Sequence, residues 1–253
     1  MHVTPTELRV VRRGSLILRF AEFGPIAAVL AELPASGSLD TSLEEPCTDP
    51  HWGVVLRGEL EVEEDGQRRR IRSGSGFHVP GGGEGHRFFS VARAVVAGFV
   101  PLDGRDAASV LETIVVPPDR RPDASEEDPA GDAPHEEMAA GEIRATTTAM
   151  GPWVMTRSVF GPTSGYGANF CDAPHWGVVV AGAAGIEYED DVEVLGTGDF
   201  YHMAQGPPGH RIEVADGAIL VDLTPAAALD GSLRLVEWRE TMALPYRRAS
   251  RPG

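Results

Sequence analysis

Cysteine is almost missing from this chain: its 253 residues include two, Cys47 and Cys171. Two cysteines cannot supply a disulfide framework, so the composition gives no support for a small secreted scaffold. Long apolar runs are missing too. None approaches the roughly 18 residues of a membrane span, and the N-terminus has no apolar signal core. Positive charge is in deficit, with 22 Lys and Arg against 38 Asp and Glu, a net charge of −16 and a pI near 4.8. Such a chain repels nucleic-acid phosphates and acidic lipid surfaces, despite the local pairs Arg12-Arg13 and Arg247-Arg248. The expected protein is soluble and cytoplasmic, with neither nucleic acid nor membrane as a partner. What is abundant is glycine (30) and proline (20), set among short Val-rich and Ile-rich runs. That composition describes many strands joined by tight turns, with little helix.

The two cysteines begin a repeat. Cys47-Thr-Asp-Pro-His51-Trp52-Gly53-Val-Val recurs 124 residues later as Cys171-Asp-Ala-Pro-His175-Trp176-Gly177-Val-Val. The same offset relates His78 to His202 and His86 to His210, and 14 of the 40 positions from Cys47 to His86 are identical. Gly24-Pro25 corresponds to Gly151-Pro152 and Pro101 to Pro225 once small gaps are allowed. Each unit is then about a hundred residues, the size of a domain. We expect an N-terminal unit over 1–116, an acidic Pro-rich linker over 117–140 and a C-terminal unit over 141–253. The linker has almost nothing to bury and reads as exposed and mobile. His135 within it and His2 at the terminus are weak ligand candidates. Within each unit Val-rich runs, glycine turns at Gly58 and Gly182, and the period-two alternation of Glu59-Leu-Glu-Val-Glu-Glu64 predict an antiparallel meander, with the glutamates on a solvated face.

Alone, each buried histidine would read as a hydrogen-bonded core residue and each cysteine as a small hydrophobe. Kept together in both copies, Cys47, His51 and His86, and likewise Cys171, His175 and His210, read as two metal-ligand sets. A thiolate with two imidazoles suits zinc, or copper, better than the oxygen-loving calcium and magnesium. Strand alternation puts Gly53 on the side of His51 and Trp52 on the other, so Gly53 and Gly177 are expected to clear space above the metal, and the tryptophans to pack. His78 and His202 read either as fourth ligands or as outer acid–base groups, the catalytic candidates.

The spacing resembles that of the cupin superfamily. Its first motif, His-x-His-x3-Glu-x6-Gly, is similar to Cys47-x3-His51-x6-Gly58 and Cys171-x3-His175-x6-Gly182. Its second, Gly-x5-Pro-x-Gly-x2-His, is similar to Gly74-x5-Pro80-x-Gly82 followed by His86, and to Gly198 leading through Pro207-Pro208-Gly209 to His210. In that register each cysteine takes the place of the family's second histidine and His51 or His175 that of its glutamate. Glu45 and Asn169 replace the first histidine. The resemblance implies an all-β fold of two tandem cupin-type double-stranded β-helix (jelly-roll) barrels, a bicupin, and adds iron, nickel and manganese to the possible metals, with zinc first. It implies a metal-dependent enzyme acting on a small organic molecule, of the dioxygenase, isomerase, cyclase or lyase type. The alternative is a non-catalytic bicupin that binds or senses a small molecule around structural zinc. A homodimer is compatible with either reading.

Overall fold

The computed structural model describes residues 2–3, 7–13, 16–35, 47–90, 92–107, 135–140, 143–150, 152–165, 171–189 and 191–228. Glu45, Asn169 and residues 117–134 of the expected linker lie outside them. The chain divides into two compact units, Pro5–Gly131 and Asp132–Gly253, the latter joined by Met1–Thr4. Both units are built of antiparallel strands, as all-β jelly-roll barrels. Among the described residues no helix is long and apolar enough to cross a membrane.

In the N-terminal unit, β2 (Arg9–Arg13), β3 (Leu16–Phe23), β4 (Ile26–Leu33), β5 (His51–Arg57), β8 (Gly76–Val79) and β10 (Ala94–Pro101) form a sheet ordered β2-β3-β4-β10-β5-β8. A second sheet, ordered β7-β6-β9, joins β6 (Glu59–Glu64), β7 (Gln67–Arg72) and β9 (His86–Ser90). Alternate residues of both sheets, among them Leu16, Leu18, Val29, Leu60, Val62, Phe77 and Val96, close on one apolar core. The glutamate face of β6 is less solvated than the alternation predicts. Glu61 is 3% exposed and pairs with Arg70 at 2.8 Å, while Glu63 pairs with Arg68 at 2.7 Å. Cross-strand arginines cover these carboxylates, which a one-strand pattern does not reveal.

The C-terminal unit repeats the plan with longer strands. Its order is β1-β16-β14-β17-β13-β12-β11, from β1 (His2–Val3), β11 (His135–Ala140), β12 (Ile143–Met150), β13 (Trp153–Gly165), β14 (His175–Glu187), β16 (Phe200–Met203) and β17 (Arg211–Pro225). A further strand, β15 (Val192–Gly196), pairs with β14. β14 spans what β5 and β6 cover in the first unit, with register shifts around Gly182, the counterpart of Gly58. Two expected boundaries move. β1 pairs with β16 and so belongs to the C-terminal unit, and β11 pairs with β12 inside the span read as linker. Both strands are recruited by backbone pairing at sheet edges, which leaves no mark in composition.

Gly58 and Gly182 turn the chain from one face of each barrel to the other at φ of 80° and 78°. A Cβ there would lie 2.3 Å from the Arg93 carbonyl oxygen and 2.2 Å from that of Gly217. The left-handed backbone costs an L-residue about 1–2 kcal/mol before the clash is counted. Gly182→Ala should therefore destabilise its unit by at least about 2 kcal/mol, read as a lower urea midpoint; an unchanged midpoint would show that the turn relaxes freely.

Candidate metal centres

Each ligand set is assembled by one backbone contact. Cys47 N donates to the His86 carbonyl at 2.9 Å and His86 N to the Cys47 carbonyl at 2.8 Å. The Cys171–His210 pair repeats this at 2.7 and 2.9 Å. These are isolated antiparallel bridges that clip the segment before β5 or β14 to the strand carrying the last histidine. The first residue of β5 or β14 then brings His51 or His175 into reach. Cys47 Sγ lies 3.1 Å from His51 Nε2, and Cys171 Sγ lies 3.4 Å from His175 Nε2. The rings of His51 and His86 meet edge to face at 4.9 Å, and those of His175 and His210 at 5.1 Å. In both sets the donor atoms lie within 4.8 Å of one another.

The donors fit a metal. Zinc bonds of about 2.0–2.3 Å in a tetrahedron put sulfur and nitrogen roughly 3.5 Å apart, close to the separations here. Both ring nitrogens of His86, and both of His210, are buried without a hydrogen-bond partner. An orphaned buried polar atom costs about 1–3 kcal/mol, and an ion among the three side chains would remove that cost. Burial, with the neighbouring His86, pushes His51 down to about 3, and burial pushes His86 down to about 4. The second set matches it, with His175 at about 3 through burial and His210, and His210 at about 4 through burial. All four imidazoles are neutral at pH 7, the ligating form. Burial raises the Cys171 thiol, so loading that site displaces a proton.

Two expectations about the surroundings are overturned. His78 pairs in register with Trp52, and His202 with Trp176, so both point to the face opposite His51 and His175. They stack on those indoles, 5.5 Å apart at 7° and 4.8 Å apart at 17°. Neither joins the three-donor group of its unit, and each packs against the tryptophan instead. Gly53 and Gly177 do face the ligand side, but the room they leave is filled. A Cβ at Gly53 would meet the Phe77 ring at 2.6 Å, and one at Gly177 the Tyr201 ring at 2.1 Å. The tryptophans pack as expected, 3% and 6% exposed.

The sequence reading missed the polar groups of the C-terminal interior. Thr224 Oγ1 is 2.7 Å from His175 Nδ1. An ion taken at Nε2 would leave Nδ1 to donate its proton to the threonine, and this contact holds the ring orientation. The Tyr201 hydroxyl donates to Asp222 Oδ1, and burial raises this carboxyl to about 7, against the lowering effect of that hydrogen bond. At the 124-residue offset the N-terminal counterparts are Phe77, Gly98 and Val100. Comparing the copies for polar-for-apolar exchanges, rather than identities, exposes them.

No family model matches the sequence, and no curated protein does. Solved structures match throughout: the DEL162-163 mutant of Bacillus subtilis oxalate decarboxylase is 11% identical with a TM-score of 0.66, covering 89% of this chain and 76% of that one. The same enzyme at pH 4.6 gives 11% and 0.65 over 89% and 76%, and a structure concerned with its Mn(II) centres gives 10% and 0.64 over 89% and 77%. The likeness establishes the cupin fold across both units.

Two outcomes follow. Val100 has no hydroxyl to offer His51, so Thr224→Val should weaken zinc at the C-terminal centre by about 10–100-fold and leave the N-terminal centre unchanged in a competitive-chelator titration. In metal-free protein, the unfolded chain takes up protons at its histidines near the ordinary 6.5, whereas the folded centres resist down to about 3–4. Stability therefore falls as pH drops below 6.5. Asp222 opposes this, since its stabilisation is present at low pH and lost as pH rises from 3.8 to about 7. Four histidines outweigh one carboxyl, and the urea midpoint of chelated protein should be lower at pH 5 than at pH 7; a flat or inverted profile would contradict the assignment.

Proposed function

We propose that the protein is a metal-binding bicupin enzyme that acts on a small organic molecule, with zinc as the first choice of metal at both Cys-His-His centres. The observation that carries this reading is the pair of buried, partnerless imidazoles, His86 and His210, each set beside a cysteine and a second neutral histidine. Three protein donors leave a tetrahedral ion one open position, the arrangement of catalytic rather than structural zinc. Bound there, a divalent ion supplies Lewis acidity toward a carbonyl or enolate oxygen or lowers the pKa of water. The protein's part is to hold three neutral or thiolate donors, to keep the interior largely dry and, in the C-terminal unit, to orient His175 through Thr224. The softness of the cysteine favours zinc over the manganese named for oxalate decarboxylase. Proton-coupled isomerase or lyase chemistry suits zinc, which has no redox change to offer.

Protein prepared without chelators or affinity-tag metal should hold two ions per chain by elemental analysis. Cys47→Ser should hold one and selectively lower the unfolding temperature of the N-terminal unit, because an ion bound only to the folded state stabilises it by mass action. A folded wild type that stays empty after equilibration with zinc, copper, iron, nickel and manganese would end the metal reading.

A further inference from the structure

The barrels differ beside the ligand histidine. On β10, Gly98 and Val100 stand where β17 has Asp222 and Thr224. In the C-terminal unit both polar side chains are engaged, Asp222 with the Tyr201 hydroxyl and Thr224 with His175 Nδ1. In the N-terminal unit the place of Asp222 is open. A Cβ at Gly98 would meet its nearest neighbour, the Trp52 carbonyl oxygen, at 3.6 Å, an ordinary contact, whereas one at Gly53 would strike the Phe77 ring.

The room at Gly98 belongs to a partly open cavity whose walls include Leu18, Val29, Ala31, Phe88, Val100 and His51. None of the residues that line it is charged. Trp52 also borders it, but its indole lies on the opposite face, stacked on His78. His51 therefore supplies the one polar side chain turned to the cavity. A charged ligand would leave water there without a counter-charge, whereas apolar groups gain about 25 cal/mol for each Å² they bury.

The His51 ring has an unused side. Its Nε2 lies 3.1 Å from Cys47 Sγ, and among the described residues His51 makes no second hydrogen bond. His175 makes one, through Nδ1 to Thr224, and Val100 has no hydroxyl to provide the equivalent. Since His51 and Val100 both border the cavity, a ligand there can reach the side of the ring that Thr224 occupies at His175.

We propose that the N-terminal barrel binds a neutral, mainly apolar ketone or aldehyde, whose oxygen takes at His51 the place that the Thr224 hydroxyl holds at His175. This rests on the reading of the barrels as small-molecule sites and gives the N-terminal one its ligand class.

Amide NMR of the metal-free full chain tests it with butanone and with pyruvate, a ketone of nearly the same size that carries a charge. Butanone should shift the amides of Leu18, Ala31, His51 and Gly98, and pyruvate should leave them in place. Gly98→Val puts methyl groups into the cavity and should weaken butanone on the order of tenfold, the worth of about two buried CH2 groups. Gly98→Ala, whose Cβ meets only ordinary contacts, should weaken it in the same direction and keeps the test decisive if the larger side chain disturbs the strand. Val100→Thr gives His51 the hydroxyl that His175 has, and should weaken butanone by about threefold to tenfold. Pyruvate shifting the same amides, butanone shifting none of them, or an affinity unchanged in both Gly98→Ala and Val100→Thr would overturn the proposal. Because no metal is present, these outcomes are separate from metal loading: a chain that loads two ions but ignores butanone fails here alone, and one that binds butanone but loads no ion fails the metal reading alone.

Discussion

Taking an imidazole out of water with neither nitrogen bonded is the cost around which each barrel is arranged. His86 and His210 sit at 2% exposure, and among the described residues no protein group hydrogen-bonds their ring nitrogens. Their backbones are fixed by the reciprocal pair to Cys47 or Cys171. The same clip delivers the sulfur, and the strand starting four residues later delivers the second imidazole. A neutral ring held dry beside a thiol and another neutral ring is poorly placed for anything except sharing a cation.

Fold class, duplication and the clustering of each Cys-His-His set were all legible because each leaves a signal within one chain. Glycine-punctuated alternation gives the strands, and an ungapped offset of 124 gives the repeat and its six donors. The strand boundaries at the edges were not legible. β11 carries the sequence His-Glu-Glu-Met-Ala-Ala, which lacks the alternation of a half-buried strand, and it pairs with β12 all the same. Glu61 was misread for a related reason. Its burial comes from arginines on β7, and register between strands is not written in either strand by itself.

The polar groups of the C-terminal interior were hidden by the very feature that revealed the ligands. A search for identities between copies finds what both barrels need and passes over what only one has. Phe77 against Tyr201, Gly98 against Asp222 and Val100 against Thr224 are each a small change of shape and a large change of chemistry. The Gly98 to Asp222 exchange is accommodated in the fold because the Tyr201 hydroxyl reaches across to the carboxylate. Without that tyrosine a buried carboxyl would stand with one fewer donor in a medium that penalises its charge. Tyr201 and Asp222 are thus a coupled substitution, and each accounts for the other.

His78 and His202 show the limit of the same reasoning from the opposite side. Both recur at the shared offset, as the ligands do, yet they lie on the outer face against Trp52 and Trp176. Stacked ring pairs of this kind contribute about 0.5–1.5 kcal/mol beyond the area they bury. The stack joins β5 to β8 and β14 to β16, the hairpins whose inner faces carry His51 with Val79 and His175 with Met203. Fixing the outer pair fixes the register of the hairpin, and a one-residue slip would turn His51 or His175 out of the interior altogether. Retention in both copies therefore marks both faces of the hairpin, and strand parity, rather than retention, tells the side chains of the Cys-His-His cluster from those that hold the hairpin in register.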